Sequence, residues 1–191
     1  MRSYQVEFLG SFPKAVPAAT LPEVAFVGRS NVGKSSAINA ILGRRKNVAR
    51  VSGRPGRTQA VNLFHIDDRV CFADLPGYGF ARVPHEVRDA WKHLVEGYLF
   101  EREGLNLVIV LVDSRHEAQK MDIQMVRVLR EAKRNFIVVA TKVDRMKRSK
   151  RAKSISVLRK GLGLKASQII PFSSPEREGV DDVWAAIEAA I

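Results

Sequence analysis

Short apolar runs alternate with amphipathic stretches along most of this chain. Residues 24–27 form an apolar run that ends at Gly28, which predicts a buried strand closed by a turn. Residues 37–42 carry apolar side chains at helical spacing, and Gly43 stands where a helix end favours glycine. The first regular part of the chain is therefore predicted to be a strand, a glycine-containing loop and a helix.

The same alternation continues to the end of the chain. A tight turn at 67–68 is predicted to join two neighbouring strands, whereas the later strands are separated by helical stretches. Strands separated by helices favour parallel pairing, with helices packed on both faces of the sheet. We therefore predict a three-layer α/β fold whose mainly parallel sheet has one antiparallel edge strand. The predicted strands are 24–27, 61–66, 69–74, 107–112, 136–140 and 167–171, and the helices follow apolar or basic stripes within 37–42, 87–98, 121–132, 147–160 and 180–187.

The length of the chain favours one domain. A domain takes roughly 150 residues, and the 191 residues leave little for a second one. Residues 1–22 hold three of the eight prolines and show no sustained periodicity, so we interpret them as an extended N-terminal arm. Residues 23–191 are then expected to form the domain itself.

The composition excludes several classes of protein. With one cysteine, Cys71, no intrachain disulfide can form and no cysteine-rich metal cluster can be built. No apolar stretch reaches the roughly 20 residues that span a bilayer. Glu7 and Lys14 interrupt any signal-peptide core near the start of the chain. We therefore expect a cytoplasmic protein without a membrane span.

Positive charge is in excess and is concentrated in two segments. The chain has 32 Lys and Arg against 20 Asp and Glu, a formal net charge of +12. Residues 44–57 hold six basic residues and no acidic one, and residues 142–160 hold nine beside the single Asp144. Such segments favour an anionic partner, either nucleic acid or an acidic membrane surface. The alternative is that each is only a solvated face.

Residues 28–35 match the pattern GxxxxGK[ST] between a predicted strand and a predicted helix. In that position backbone N–H groups turn inward around a phosphate, and the helix directs its positive dipole end at the same place. Lys34 is placed to reach the β- and γ-phosphates, and Ser35 is placed to hold Mg²⁺. The motif predicts a P-loop NTPase fold. The candidate phosphate-binding residues are Gly28, Arg29, Ser30, Asn31, Val32, Gly33, Lys34, Ser35 and Ser36.

A second motif, DLPG, follows the predicted strand 69–74. The Asp74 carboxylate is placed to hold Mg²⁺, and the Gly77 N–H is placed to meet a γ-phosphate. Alone the pattern is equally compatible with a plain turn at the end of a strand. Its position after the phosphate loop favours the nucleotide site.

The motif at 141–144, TKVD, indicates which nucleotide binds. It follows a predicted strand, at the carboxyl edge where α/β sheets bind ligands. The Asp144 carboxylate can accept both the ring N–H and the exocyclic amine of guanine, a pair of donors that adenine lacks. Thr141 opens the motif, and Lys142 is expected to lie along the base and brace the phosphate loop. Ser173 and Ser174, after the last strand, are candidates to offer backbone N–H groups to the guanine carbonyl.

These ordered motifs resemble those of translation-factor-type GTPases and, more closely, those of the YihA/EngB family of bacterial GTPases. The resemblance spans nearly the whole chain. It rests on GRSNVGKSS at 28–36, GRTQ at 56–59, DLPGYGFA at 74–81, TKVD at 141–144 and FSS at 172–174.

The resemblance implies hydrolysis of GTP to GDP and phosphate, with Mg²⁺ as the metal. It implies that Thr58, with Gly56 beside it, contacts Mg²⁺ and the γ-phosphate from a first switch at 44–60. A second switch is implied to cover 75–85, and Asp74 and Gly77 are implied to belong to it. The implied metal ligands are Ser35, Thr58 and Asp74, and the implied catalytic residues are Lys34, Thr58 and Gly77.

The family also implies a biological role. That role is a nucleotide-controlled step in the assembly of the large ribosomal subunit, with a link to cell division and septation. The expected partner is ribosomal RNA or a ribosomal protein, bound by a monomer through the basic segments 44–57 and 142–160.

Two residues depart from the Ras pattern or extend it. Tyr78 stands where Ras-like enzymes carry a water-orienting glutamine, so intrinsic hydrolysis is expected to be slow. Asn31 resembles the loop asparagine of potassium-dependent GTPases, which predicts stimulation by K⁺. Arg29 is the alternative cationic helper, although we favour its interpretation as a solvated side chain. Two alternatives stay open, a small-molecule phosphotransferase and an RNA-binding scaffold whose nucleotide is only structural.

Overall fold

A seven-stranded β-sheet with helices on both faces makes up the part of the chain that the computed structural model describes, residues 4–43, 60–78 and 85–191. The strands are β1 (Val6–Phe12), β2 (Glu23–Gly28), β3 (Val61–Ile66), β4 (Val70–Asp74), β5 (Leu105–Asp113), β6 (Phe136–Thr141) and β7 (Ile169–Pro171). The helices are α1 (Lys34–Ile41), α2 (His85–Glu101), α3 (Lys120–Glu131), α4 (Arg148–Gly161) and α5 (Val180–Glu188). Short 3₁₀ turns lie at Val143–Arg145 and Ala166–Gln168.

The strands follow the order β1-β3-β4-β2-β5-β6-β7 across the sheet. β2 pairs in parallel with β4 and β5, and the parallel arrangement continues through β6 and β7. The predicted α/β fold and its mainly parallel sheet are confirmed. Because parallel strands end at the same edge, the segments that follow β2, β4, β5, β6 and β7 meet there.

The antiparallel side of the sheet extends one strand further than the prediction. β3 is antiparallel to β4, but β1 pairs with β3 from Val6↔Ile66 to Phe12↔Val61 and forms the edge. β1 lies within residues 1–22, which the sequence pattern describes only as an extended arm. Most of its side chains are at least partly exposed, and a shift of register between Phe8 and Gly10 interrupts it. No apolar alternation therefore marks this strand in the sequence.

The core lies on both faces of the central strands, which accounts for their uninterrupted apolar runs. Along β2, Val24 and Phe26 pack on the face covered by α1 and α5. The alternate residues Ala25 and Val27 pack on the face covered by α2, α3 and α4. This confirms the three layers.

Two local details differ from the sequence pattern. The last strand begins at Ile169, because residues 166–168 form a 3₁₀ turn. On α3, Met121 is 39% exposed, whereas Asp122 and Val126 are buried. Among the residues that the structure describes, every helix is too short or too polar to cross a bilayer.

A buried ion pair ties α2 to the start of β2. Glu23 is 1% exposed, and its carboxylate accepts hydrogen bonds from Arg102 Nε and Nη2 at 2.7 and 2.6 Å. The Tyr98 hydroxyl donates to the same carboxylate at 2.6 Å. Three donors thus compensate the buried charge, and the C-terminal part of α2 is anchored to the sheet.

Candidate functional site

The phosphate loop connects β2 to α1, and two glycines shape it. Gly33 has a φ of 101° directly before α1, a left-handed conformation that favours glycine. A Cβ on Gly28 would lie 3.0 Å from the carbonyl oxygen of Leu111 in β5, so a larger residue would force the loop away from the sheet. The loop closes onto the helix where the Ala37 N–H donates to the Gly33 carbonyl at 2.8 Å. The predicted strand, loop and helix are all formed.

Lys34 and Asp74 form an ion pair beside this loop. Lys34 begins α1, and Asp74 ends β4, the strand next to β2. Asp74 is 5% exposed, and the cation that its carboxylate contacts is the Lys34 ammonium. Carboxylate and hydroxyl oxygens suit Mg²⁺, and Ser35 follows Lys34 directly. The residue types present therefore fit a Mg²⁺-bound phosphate group, which Lys34 would approach by leaving Asp74.

The segment after Asp74 is docked on the phosphate loop. The Tyr78 N–H donates to the Gly28 carbonyl at 3.1 Å, and the Tyr78 carbonyl accepts the Ser30 N–H at 3.0 Å. A Cβ on Gly77 would lie 3.4 Å from the Gly28 carbonyl oxygen. The predicted Gly77 thus lies against the loop, while the Ser30 N–H is directed at Tyr78.

The side chain of Tyr78 points away from the phosphate loop and into the core. It is 2% exposed, and its hydroxyl donates to Asp122 Oδ1 on α3 at 3.0 Å. Burial raises the pKa of Asp122, against the Tyr78 hydrogen bond and the positive charge of Arg29. Burial and the Asp122 charge together raise the pKa of the Tyr78 hydroxyl. Arg29 itself is half-buried and lies within electrostatic reach of Asp122.

The base-recognition motif is bonded to the phosphate loop. The Thr141 hydroxyl donates to the Val32 carbonyl at 2.7 Å, and Lys142 Nζ donates to the Asn31 carbonyl at 2.7 Å. Lys142 itself has a φ of 64°, which turns the chain at the end of β6. Lys142 thus spans from the end of one strand to the loop that follows another.

Asp144 lies in the 3₁₀ turn that follows. Its side chain is 14% exposed, and its Oδ2 lies 3.3 Å from Nε of Arg145, which is itself largely exposed. The turn is attached to the end of β7 by the Val143 N–H, which donates to the Phe172 carbonyl at 3.3 Å. The predicted Asp144 therefore lies near the segment that carries the serine pair.

The two serines differ in their surroundings. Ser173 is fully buried, its N–H donates to the Glu178 carbonyl at 3.1 Å, and its hydroxyl oxygen accepts the Glu176 N–H at 3.1 Å. Its role of offering a backbone N–H to a base stays a prediction, and in this structure that N–H stabilises the turn. Ser174 is half-buried and remains the candidate.

One carboxylate at the site has no place in the sequence motifs. Asp113 ends β5, in register with Thr141 of β6, and its Oδ2 accepts the Lys142 ammonium at 2.9 Å. The next residue, Ser114, is fully buried and donates from its hydroxyl to the Thr141 carbonyl at 2.6 Å. A polar residue directly after a long apolar run is the signal that marks such a position in the sequence.

Several predicted site residues lie outside the described residues. They are Gly56 and Thr58, the basic segment 44–57, and residues 79–84 of the second switch.

Comparison with known proteins assigns the family. The family model described as 50S ribosome-binding GTPase matches residues 23–142. The probable GTP-binding protein EngB of Streptococcus pyogenes serotype M1 is 51% identical over 172 residues, which cover 90% of this chain and 86% of that protein. The chain belongs to the EngB family of GTPases. The EngB protein of Streptococcus thermophilus is 49% identical over 176 residues, 92% of this chain and 88% of the relative.

A solved structure of an EngB protein supports the same assignment, and a second solved structure shares the fold. The crystal structure of a probable GTP-binding protein EngB has a TM-score of 0.72 at 25% identity, covering 88% of this chain and 97% of that chain. Era in complex with MgGDPNP and a 16S ribosomal RNA fragment has a TM-score of 0.71 at 22% identity, covering 89% and 56%, and shares the fold. As an EngB-family member the chain is a GTPase, and its family uses GTP, GDP and Mg²⁺. Membership favours GTP hydrolysis over the phosphotransferase and scaffold alternatives.

Proposed function

We propose that this chain is a GTP-controlled switch in the assembly of the large ribosomal subunit. The observation that carries the proposal is the position of the basic helix α4, which begins at Arg148, four residues after Asp144 in the sequence. A helix placed directly after the base-recognition turn is positioned to respond to the nucleotide. The ribosome-binding description of the matching family model supports a ribosomal partner.

The basic segment 142–160 contains an exposed cationic surface. Of its nine basic side chains, Lys142, Arg151 and Arg159 bond to groups of the protein itself. No acidic residue occurs between positions 145 and 161. The other basic side chains are exposed; they are Lys147, Arg148, Lys150, Lys153 and Lys160, and also Arg145, whose Nε lies 3.3 Å from Asp144 Oδ2.

RNA phosphates are the partner that this surface fits. Lys150, Lys153 and Lys160 share one face of α4, since their spacing returns to the same side of a helix. A row of lysines without an acidic neighbour binds phosphates without reading sequence. The Era structure, which has this fold, holds a 16S ribosomal RNA fragment in that protein.

The phosphate end of the nucleotide is proposed to be bound by residues 28–36. Ser35, Asp74 and Thr58 would hold Mg²⁺, which when bound neutralises charge on the β- and γ-phosphates. Lys34 leaves Asp74 and donates to the same phosphates. The Gly77 N–H would donate to the γ-phosphate, a role supported by the position of Gly77 against the phosphate loop.

The base is proposed to be recognised by Asp144, with Lys142 along the ring and Ser174 at the carbonyl. The test is an Asp144→Asn variant titrated with GTP, XTP and ATP. A change of preference from GTP to XTP is expected, because the amide matches the acceptor that xanthine presents. An unchanged preference would contradict the assignment of Asp144.

Hydrolysis is proposed to be slow and stimulated by K⁺. The Tyr78 ring is packed against α3, which supports slow turnover because no side chain at this position orients water. Asn31 is exposed on the loop with a φ of 63°, a position from which its side chain is accessible to a cation. Equal GTPase rates in matched KCl and NaCl buffers would contradict the role of K⁺.

The setting of this activity is proposed to be the cytoplasm, with the chain acting as a monomer, and its loss is proposed to impair septation. Residues 23–191 are proposed as the GTPase domain, with residues 1–22 as an arm that adds β1 to its sheet.

The ribosomal role is tested with precursor particles of the large subunit. The wild type should bind them more tightly with a non-hydrolysable GTP analogue than with GDP, and binding should weaken as salt rises. A Lys150→Ala, Lys153→Ala double variant should lose most of this binding. A Lys14→Ala, Lys120→Ala variant removes two exposed lysines elsewhere and should bind normally. Equal binding by both double variants, or binding indifferent to salt, would contradict the α4 surface.

A further inference from the structure

The carboxylate of Asp113 lies beside the Lys142 ammonium, which also contacts the phosphate loop. Its Oδ2 accepts a hydrogen bond from Lys142 Nζ at 2.9 Å, and the same ammonium donates to the Asn31 carbonyl at 2.7 Å. The register of β5 and β6 sets this arrangement, because Asp113 and Thr141 are partners at the ends of the two strands. The far end of the Lys142 side chain is therefore held from two sides.

Arg115 completes the surroundings of this carboxylate. Its Nε and Nη2 donate to Asp113 Oδ1 and Oδ2 at 2.9 and 2.7 Å, and its N–H donates to Oδ1 at 3.1 Å. Burial opposes ionisation of Asp113, but the hydrogen bonds from Arg115 and Lys142 outweigh it, and the pKa of Asp113 lies well below its usual range. The carboxylate is therefore charged throughout the neutral pH range.

We infer that Asp113 is a positioning residue for base recognition. Its carboxylate fixes the Lys142 ammonium against the phosphate loop. The methylene stem of Lys142 is thereby held as a support for the guanine ring. The inference rests on the proposed base site at Asp144. A lysine side chain has several rotatable bonds, and a binding site that holds it in place beforehand loses less freedom when the ligand binds. Asp113 performs this function through Lys142, and the inference requires no contact between Asp113 and the nucleotide.

The experiment compares a ligand that has a base with one that has none. Asp113→Asn removes the charge that holds Lys142 and places an amide N–H₂ among cations. By titration calorimetry the variant should bind GDP about tenfold more weakly, the typical effect of losing a hydrogen bond between charged groups. Inorganic tripolyphosphate with Mg²⁺ has no base for Lys142 to support, so its affinity should stay within about twofold of the wild type. Unchanged GDP binding, or an equal loss for tripolyphosphate, would overturn the inference.

Two controls separate positioning from folding. Asp181→Asn makes the same chemical change at an exposed position on α5 and should leave GDP affinity unchanged. Arg115→Ala removes the other cation but leaves Asp113 bonded to Lys142, so GDP affinity should fall by less than about threefold. A loss in Arg115→Ala as large as that in Asp113→Asn would show that the turn at 113–115, and not Lys142, carries the effect.

A background without the Lys142 ammonium makes the test independent of stability. In Lys142→Met, which keeps the stem, adding Asp113→Asn should weaken GDP binding by less than about twofold further. A full tenfold loss in that background would overturn the inference. Asp113→Asn could also unfold at lower urea concentrations than the wild type, and in that case Asp113→Glu is the variant to test. Asp113→Glu keeps the charge and should recover GDP affinity at least in part. No recovery would likewise overturn the inference.

The same titrations distinguish this inference from the proposal on which it rests. If Asp144→Asn fails to shift preference from GDP to XDP, the base site itself is misassigned. If Asp144→Asn shifts it but Asp113→Asn leaves GDP affinity intact, only the role of Asp113 is wrong.

Discussion

The hydrogen bond between Tyr78 and Asp122 links the second switch to α3, and its removal is expected to be measurable. Tyr78→Phe deletes the hydroxyl but keeps the ring that fills the core. The Phe variant also keeps the backbone bonds of residue 78 to Gly28 and Ser30. The change therefore removes the buried donor of the Tyr78–Asp122 hydrogen bond and keeps the ring in the core.

The expected loss is about 2 kcal/mol in the free energy of unfolding at pH 7. Hydrogen bonds to charged groups contribute about 1.5–3 kcal/mol. Tyr78 and Asp122 are 2% and 1% exposed, so water cannot easily replace the lost donor. The value lies below the upper limit because the backbone of Gln119 also bonds to Asp122 and Arg29 adds a positive charge nearby.

Urea unfolding of the nucleotide-free protein measures this loss, and a double-mutant cycle with Asp122→Ala assigns it. When Asp122→Ala is already present, Tyr78→Phe should change stability by less than about 0.5 kcal/mol, because the acceptor is gone. Equal losses with and without Asp122→Ala would refute the reasoning, as would a Tyr78→Phe variant as stable as the wild type.

Three further predictions follow from single contacts. Burial raises the pKa of Asp122 in the folded protein, so the stabilisation that comes from protonating Asp122 is fully present below the unfolded pKa of about 4. This stabilisation is lost as pH rises through the folded pKa. The urea midpoint of Asp122→Asn should therefore rise relative to that of the wild type from pH 4 to pH 7. Arg102→Met leaves the Glu23 carboxylate buried without its cation and should lower the free energy of unfolding by about 3–5 kcal/mol. Adding Glu23→Gln to this variant should recover much of the lost stability. Thermal melts that show no such recovery would contradict the pairing. Thr141→Val removes the hydroxyl that donates to the Val32 carbonyl and should weaken GDP binding about fivefold in calorimetry. Thr141→Ser keeps a hydroxyl and should bind GDP nearly as tightly as the wild type. Equal GDP affinities for the two variants would show that the hydrogen bond is unimportant.

Local chemistry in the sequence was sufficient for the phosphate loop and for the central strands. The glycines and the lysine of residues 28–35 act on their own backbone and on the helix that follows, so the pattern carries its own geometry. The runs in β2, β5 and β6 are continuous because both faces of these strands are buried, and burial on both faces leaves a clear trace in the sequence.

The edge of the sheet was not predictable in the same way. β1 pairs with β3, which lies about fifty residues further along the chain. Its side chains are mostly exposed, and a bulge interrupts its register, so neither alternation nor an apolar run indicates a strand. Backbone pairing with β3 makes this segment a strand, and that pairing exists only in the folded protein.

Motif and composition by themselves therefore determined the fold class, the phosphate loop and the candidate base-recognition motif. Tertiary structure decided that Tyr78 turns to Asp122 and that Asp113 reaches Lys142. The physical reason is distance along the chain. Tyr78 and Asp122 are 44 positions apart, and Asp113 and Lys142 are 29 positions apart. Only the packing of α3 and the register of the strands bring these residues within hydrogen-bonding range.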